Sequence, residues 1–139
     1  MKKIILSLLT VSTLSACYIA PLSHAPHLKR DPETGAIRST FHYSARLYPT
    51  NSAAQRYGMG NAEIDSSGGR SIFTASLGTE RFSGEATRDA SLSGNQGVAN
   101  GVSSRGVYLN CRYAMNGANG KGNCTTSDQA QFDMHIVLQ

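Results

Sequence analysis

The segment Val107-Tyr108-Leu109-Asn110-Cys111-Arg112-Tyr113 alternates apolar and polar side chains along its whole length. A period of two is typical of a β-strand with one buried face, which here carries Leu109 and Cys111. The glycine-rich residues 116–122 follow and predict a turn, so the chain should return antiparallel and bring Cys124 within reach of Cys111. The stretch therefore predicts a β-hairpin that is stapled by a disulfide.

Two longer segments with the same period predict further strands. Residues 37–48 alternate up to Pro49, which cannot continue a hydrogen-bonded ladder, and residues 132–138 alternate near the end of the sequence. On the polar faces lie His42 in the first segment and His135 in the second. The predicted inward residues are Ile37, Phe41, Tyr43, Ala45 and Leu47, and then Phe132, Met134, Ile136 and Leu138.

Shorter candidate strands fill the middle of the chain. Residues 60–66, 70–77 and 80–87 are separated by glycine-containing turns, and Gly84 inside the third indicates a bulge or a close backbone approach. Residues 88–105 are rich in Ser, Gly and Asn, and they predict a mobile loop with at most a weak edge strand over residues 98–102. Only a single helical turn is expected, at residues 53–55.

Five to seven short strands with almost no helix predict an all-β fold. The alternatives are a small antiparallel sandwich and a barrel-like meander. In either case the disulfide-stapled hairpin lies near the core, and Tyr43 and Tyr113 should fill that core with their hydroxyl groups at its edge.

The start of the sequence has the pattern of an export signal. Lys2 and Lys3 precede an apolar run over residues 4–14, which ends in Leu14-Ser15-Ala16-Cys17. A membrane-spanning helix needs about 20 residues, so this run is too short to be one. The segment resembles the lipobox of bacterial lipoprotein signal peptides, and an ordinary cleaved signal would not need Cys17. The resemblance implies cleavage after Ala16 and a diacylglycerol on the sulfur of Cys17.

This resemblance also implies an organisation and a location. Residues 1–16 would be the signal peptide, residues 17–36 a lipidated N-terminus with a flexible tether, and residues 37–139 a single β domain. In enterobacterial lipoproteins an Asp after the anchor favours the inner membrane, so Tyr18 implies the outer membrane. Residues 45–48, 78–84 and 109–113 are similar to segments of small uncharacterised lipoproteins of Gram-negative bacteria, a likeness that implies no catalytic residue.

Charge and cysteine content restrict the possible partners. The chain has 13 basic and 9 acidic residues, and removing Lys2 and Lys3 leaves 11 basic residues. No basic run is longer than two residues, so an interface for nucleic acid is not expected. Apart from Cys17 there are two cysteines, an even pair that predicts a disulfide in an exported protein. A metal pair or a redox pair would need closer spacing and, for a metal, further ligands.

No motif selects a catalytic or metal-binding group. Serines are abundant, yet none lies in a Gly-x-Ser-x-Gly elbow, and the glycine-rich turn lacks the spacing of a phosphate loop. His24 and His27 have no third ligand beside them. Glu80 and Glu85 are interpreted as solvated strand residues rather than as a glycosidase pair. We therefore expect no enzymatic activity, no cofactor and no metal.

Tyr108 and Arg112 share the outward face of the stapled strand and are residue types that anchor protein interfaces. They predict a binding or structural module whose partner is another envelope or host protein. Two alternatives stay open. The first is an inhibitor, because lipid-anchored β-barrels that block lysozyme have a similar size and a disulfide. The second is an envelope hydrolase that uses His135.

Overall fold

The computed structural model describes residues 27–30, 32, 37–88 and 95–139. Consecutive strands in this part of the chain pair antiparallel, and β2 also pairs with β9, so that β2 to β9 close into an eight-stranded barrel. The elements are β1 (His27–Arg30), β2 (Ile37–Pro49), α1 (Ser52–Gln55), β3 (Gly60–Ser67), β4 (Arg70–Leu77), β5 (Glu80–Arg88), β6 (Gln96–Ser103), β7 (Tyr108–Asn116), β8 (Asn119–Thr126) and β9 (Gln131–Leu138).

The all-β prediction is confirmed, and the architecture is a barrel rather than a sandwich. Closure pairs Tyr43 with Leu138 and Leu47 with Met134, so β2 and β9 are not left as exposed edges. The strand count exceeds the expected five to seven. One of the additional strands, β1, pairs with the beginning of β2. It comes from the segment interpreted as a tether, most of which lies outside the described residues.

Alternating side chains fill the interior of the barrel. Phe73, Phe82 and Phe132 are fully buried at its centre, as the period of two predicts for their strands. A cavity bounded by Tyr43 and Tyr113 measures only about 20 Å³, which is room for about one water molecule. This part of the barrel is therefore a packed core.

The predicted role of the two inward tyrosines is confirmed. The hydroxyl of Tyr43 accepts a hydrogen bond from Arg88 Nη2 at 2.8 Å. The hydroxyl of Tyr113 donates to the carbonyl oxygen of Thr87 at 3.3 Å, and burial raises the pKa of this phenol. Both rings thus contribute apolar area to the core while their polar ends find partners at its edge.

Within residues 88–105, the strand predicted over residues 98–102 is present, but it is longer than expected and is not an edge strand. Residues 96–103 form β6, which pairs along its length with β5 and β7. The strand has few apolar residues because its neighbours supply them. A Cβ on Gly97 would lie 2.4 Å from Cζ of Tyr113, so the missing side chain makes room for that ring. Residues 89–94 lie outside the described part of the chain.

The predicted turn over residues 116–122 is also too long. The hairpin turns at Gly117 and Ala118, with Gly117 at φ +61°, and β8 begins at Asn119. The later glycines belong to the strand. A Cβ on Gly122 would lie 2.2 Å from the carbonyl oxygen of Arg112, so glycine here permits the close approach of β7 and β8.

Candidate functional site

The two cysteines of the predicted hairpin form a disulfide. Cys111 and Cys124 lie directly opposite each other in the β7–β8 ladder, with a Cα–Cα distance of 4.0 Å and an S–S distance of 2.06 Å. Both side chains are fully buried. The pair is thus part of the core and is shielded from thiols in solution, which indicates a structural role. Cys17, the predicted lipidation site, lies outside the described residues.

Tyr108 and Arg112 both point outward, as predicted, but they do not contact each other. Four residues along a strand correspond to about 13 Å. The neighbour of Tyr108 is instead Val102, its direct partner in the β6–β7 ladder. Tyr108 is 66% exposed and Val102 is 41% exposed, so the two form an apolar patch on the barrel wall. We refer to these two residues as the apolar patch.

Arg112 lines a groove of about 490 Å³ on the outer wall, together with Lys121, Asp133 and His135. Lys121 lies opposite His135, and His135 lies opposite Arg46, so these three residues form one row across β8, β9 and β2. We call them the basic row. Within the described residues, none of the three forms an ion pair. The row includes the positive charges of Arg46 and Lys121, so this wall favours an acidic ligand.

A second cavity, of about 380 Å³, lies at one end of the barrel. Four connections meet at this end: β2–β3, β4–β5, β6–β7 and β8–β9. We call it the mouth. Its lining includes Arg56, Tyr57, Glu80, Arg105 and Asp128.

The helical turn predicted at residues 53–55 borders the mouth and is confirmed as α1. Asn51 Oδ1 accepts a hydrogen bond from the backbone N–H of Ala54 at 2.9 Å, which caps the helix. Asn51 Nδ2 donates to the carbonyl oxygen of Gln129 at 2.8 Å. This one side chain therefore ties α1 to the β8–β9 connection and positions Arg56 and Tyr57 at the mouth.

The interpretation of Glu80 as a solvated residue is wrong. Its side chain is 5% exposed and pairs with the guanidinium of Arg105, whose own side chain is 69% exposed. Glu80 points inward because it has the same parity as Phe82, and that alternation was the signal in the sequence that could have revealed it. Glu85 has the opposite parity. It is exposed and pairs with Arg70 at 2.8 Å, as a solvated residue would.

Asp128 is the second carboxylate of the mouth, and both of its oxygens accept hydrogen bonds. Tyr57 Oη donates to Oδ2 at 2.7 Å, and Thr126 Oγ1 donates to Oδ1. The hydrogen bonds from Thr126 and Tyr57 lower the pKa of Asp128. Burial, together with this bond to Asp128, raises the pKa of Tyr57. Each oxygen of the Asp128 carboxylate therefore has a hydrogen-bond donor that stabilises its charged form.

In the described residues, neither of the outward histidines His42 and His135 belongs to a cluster of metal-binding side chains. His42 Nδ1 lies 2.5 Å from Asp65 Oδ1, and His135 packs against the ring of Tyr48 with centroids 5.2 Å apart. In the described ranges no three His, Cys, Asp or Glu residues come together as a metal site would require. In the same ranges, no helix has the length and apolarity needed to cross a membrane.

Comparisons with protein-family models, with curated proteins and with solved structures give no match to this chain. The candidate sites are therefore defined by the barrel itself: the apolar patch and the basic row on its wall, and the charged mouth at its end.

Proposed function

We propose that this protein is a lipid-anchored, non-catalytic binding module of the bacterial envelope. In this proposal it binds another envelope or host protein through the outer wall of its barrel. The observation that carries the proposal is the apolar patch. An exposed tyrosine beside an exposed valine, on strands held by closure and a disulfide, needs little backbone ordering on binding, and tyrosine is a frequent anchor at interfaces.

The basic row supports a partner that carries acidic groups. Arg46 and Lys121 flank His135 without a described ion pair, and Arg112 adds a fourth basic side chain at the groove. Asp133 offsets only part of this charge. A partner that combines an apolar contact with carboxylates or other anions would complement the wall, and the charges would speed its association.

The entry of the chain into the barrel is compatible with an anchor at Cys17. β1 pairs with the beginning of β2, at the end of the barrel opposite the mouth. A lipid on Cys17 would join the barrel through residues 18–26, which precede β1. Two or more acyl chains would hold the protein firmly, because each buried methylene contributes about 0.8 kcal/mol.

Site-specific photo-crosslinking in Gram-negative cells tests the binding surface. A photoreactive phenylalanine analogue would replace Tyr108 in the full chain. The matched control places it at Ile72, which is also an outward strand residue and is 54% exposed, but lies on β4. We expect a discrete adduct from position 108, weakened by Lys121→Glu, and none from position 72. Equal labelling at both positions, or no adduct at position 108, would contradict the proposal.

The anchor is tested separately, by the intact mass of the protein extracted from membranes. A mass equal to residues 17–139 plus acyl chains supports the lipid anchor. Separation of inner and outer membranes then tests the outer-membrane proposal. A mass without acyl chains removes the anchor and leaves the binding surface to be judged by crosslinking alone.

Inhibition of a host or envelope enzyme is a second candidate function. It is favoured by the closed barrel, which, like the disulfide, is a feature of the small lipid-anchored proteins that block lysozyme. Cleavage of cell-wall substrate by lysozyme should slow when the purified protein is added in excess. Unchanged rates would rule out lysozyme as the target.

A further inference from the structure

The mouth contains a buried carboxylate whose cation partner is itself mostly in solvent. The Glu80 side chain is 5% exposed and the Arg105 side chain is 69% exposed. A carboxylate removed from water is strongly destabilised unless a cation and hydrogen-bond donors compensate. Phe82, the next inward residue of the same strand, is apolar. An apolar residue at position 80 would likewise fill the barrel without the cost of burying a charge. The presence of Glu80 therefore points to a role beyond packing.

The compensation of Glu80 is incomplete. Arg105 contacts only Oε1, and within the described residues neither carboxylate oxygen has a partner in hydrogen-bond geometry. A carboxylate can accept about four hydrogen bonds and can bind a guanidinium through both oxygens. Glu80 thus has unused acceptor capacity beside a cavity of about 380 Å³.

Arg105 can leave Glu80 without disturbing the turn that carries it. The β6–β7 turn is closed by hydrogen bonds from Ser103 N–H to the Val107 carbonyl and from Gly106 N–H to the Ser103 carbonyl, each 2.9 Å long. Neither bond involves Arg105. Its exposed side chain reaches over the rim of the mouth, so rotation about its side-chain bonds is enough to free the carboxylate.

The remaining groups of the mouth favour a cation at Glu80. Asp128 accepts one hydrogen bond at each oxygen, from Thr126 and from Tyr57, and adds negative potential to the mouth. From these contacts we infer that the mouth binds a guanidinium or primary ammonium group, and that Arg105 is a built-in occupant which an external cation replaces at Glu80. Arg56 also lines the mouth, and its charge offsets part of the negative potential of Asp128.

Removal of the built-in occupant is the first test. The full chain with Arg105→Ala would be titrated with methylguanidinium by calorimetry and thermal unfolding. We expect saturable binding about tenfold tighter than in the unchanged protein, where the tethered Arg105 competes at high effective concentration. The unfolding temperature of this variant should rise with the ligand concentration.

Two variants provide the controls. Arg105→Ala combined with Glu80→Gln should bind no methylguanidinium, because the carboxylate is gone. Arg70→Ala removes the guanidinium from Glu85 in the exposed pair on the barrel wall. It should bind methylguanidinium no more tightly than the unchanged protein, since Glu85 is solvated and the mouth still contains Arg105. Binding that persists in the double variant, or equal binding in the Arg70 variant, would overturn the inference.

The unchanged protein gives an independent test if Arg105→Ala does not fold. Amide NMR signals of Gly78 and Thr79, which line the mouth, should shift with methylguanidinium and not with tetramethylammonium, a cation without N–H donors. Identical shifts with both cations, or none with either, would refute the site.

The natural source of the cation is then distinguished with a short peptide containing arginine and the same peptide containing citrulline. A peptide that binds more tightly than methylguanidinium, with loss of binding for citrulline, indicates a side chain of a partner. A preference for methylguanidinium indicates a small free cation, and equal binding of both peptides would contradict recognition of charge.

Discussion

Replacement of Gly84 by alanine tests the pairing of β5 with β6, the strand that the sequence predicts only weakly. Gly84 lies opposite Gly101 in the β5–β6 ladder. A Cβ at position 84 would lie 1.9 Å from the carbonyl oxygen of Asn100 and 2.8 Å from its carbon. These are backbone atoms of β6, so no side-chain rotation can relieve the overlap. The two strands would have to separate.

The expected cost follows from opposing effects. Overpacking in a core costs about 1–3 kcal/mol, and each ladder hydrogen bond weakened by the separation costs about 1 kcal/mol more. Alanine restricts the unfolded chain and returns about 0.4–1 kcal/mol. We therefore expect a net loss of about 3 kcal/mol, which for a domain of this size corresponds to a fall in Tm of about 10–15 °C.

The neighbouring glycine supplies the matched control. A Cβ on Gly101 would have as its nearest neighbour the Cβ of Phe82 at 3.3 Å, which a small shift can accommodate. Gly101→Ala should therefore cost less than about 1 kcal/mol. Thermal unfolding followed by circular dichroism compares the two variants. Equal stability of Gly84→Ala and Gly101→Ala would show that β6 is not packed against β5 as described, and the reasoning would fail.

Three further measurements address the staple, the mouth and the wall. Reduction of the disulfide between Cys111 and Cys124, 13 residues apart, should lower the unfolding free energy by about 3 kcal/mol, so an unchanged urea midpoint for the fully reduced protein would contradict a stabilising role. The pKa of Asp128 is lower in the folded state, so its stabilising effect is present above about pH 4 and is lost as the pH falls through the folded pKa. Asp128→Asn should therefore flatten the acid limb of a plot of unfolding free energy against pH. An identical acid limb in the variant would contradict this role of Asp128. Tyr108→Ala should change the unfolding free energy by less than about 0.5 kcal/mol because the ring is exposed, while weakening partner binding, and a large loss of stability would argue against a surface role.

Local alternation is the part of the fold that the sequence predicts well. Residues 70–77 were expected as a strand and form β4, and the inward positions Tyr43, Leu109 and Phe132 are buried. The facing positions of Cys111 and Cys124 also followed from one antiparallel turn. Each of these features depends on residues that are close in the chain, because the direction of a side chain on a strand reverses at every position.

Closure of the barrel could not be predicted in the same way. The pairing of Tyr43 with Leu138 joins the two ends of the sheet, and nothing in either strand alone specifies that partner. β6 was predicted only as a weak edge strand over residues 98–102, because glycine marks both loops and close approaches between strands. Gly97 leaves space for the ring of Tyr113, a relation that appears only once β6 and β7 are paired.

The weak prediction of β6 also explains why the charged mouth was not foreseen. The parity of Phe82 already directs Glu80 inward, but its partner depends on the number of strands between them. In a meander each strand reverses direction, so the start of β7 would lie at the far end from Glu80 if residues 88–105 were a loop. With β6 present, β7 begins at the same end as β5, and the β6–β7 turn brings Arg105 onto the carboxylate. A single strand, poor in apolar residues, thus decides whether the ion pair of the mouth can exist.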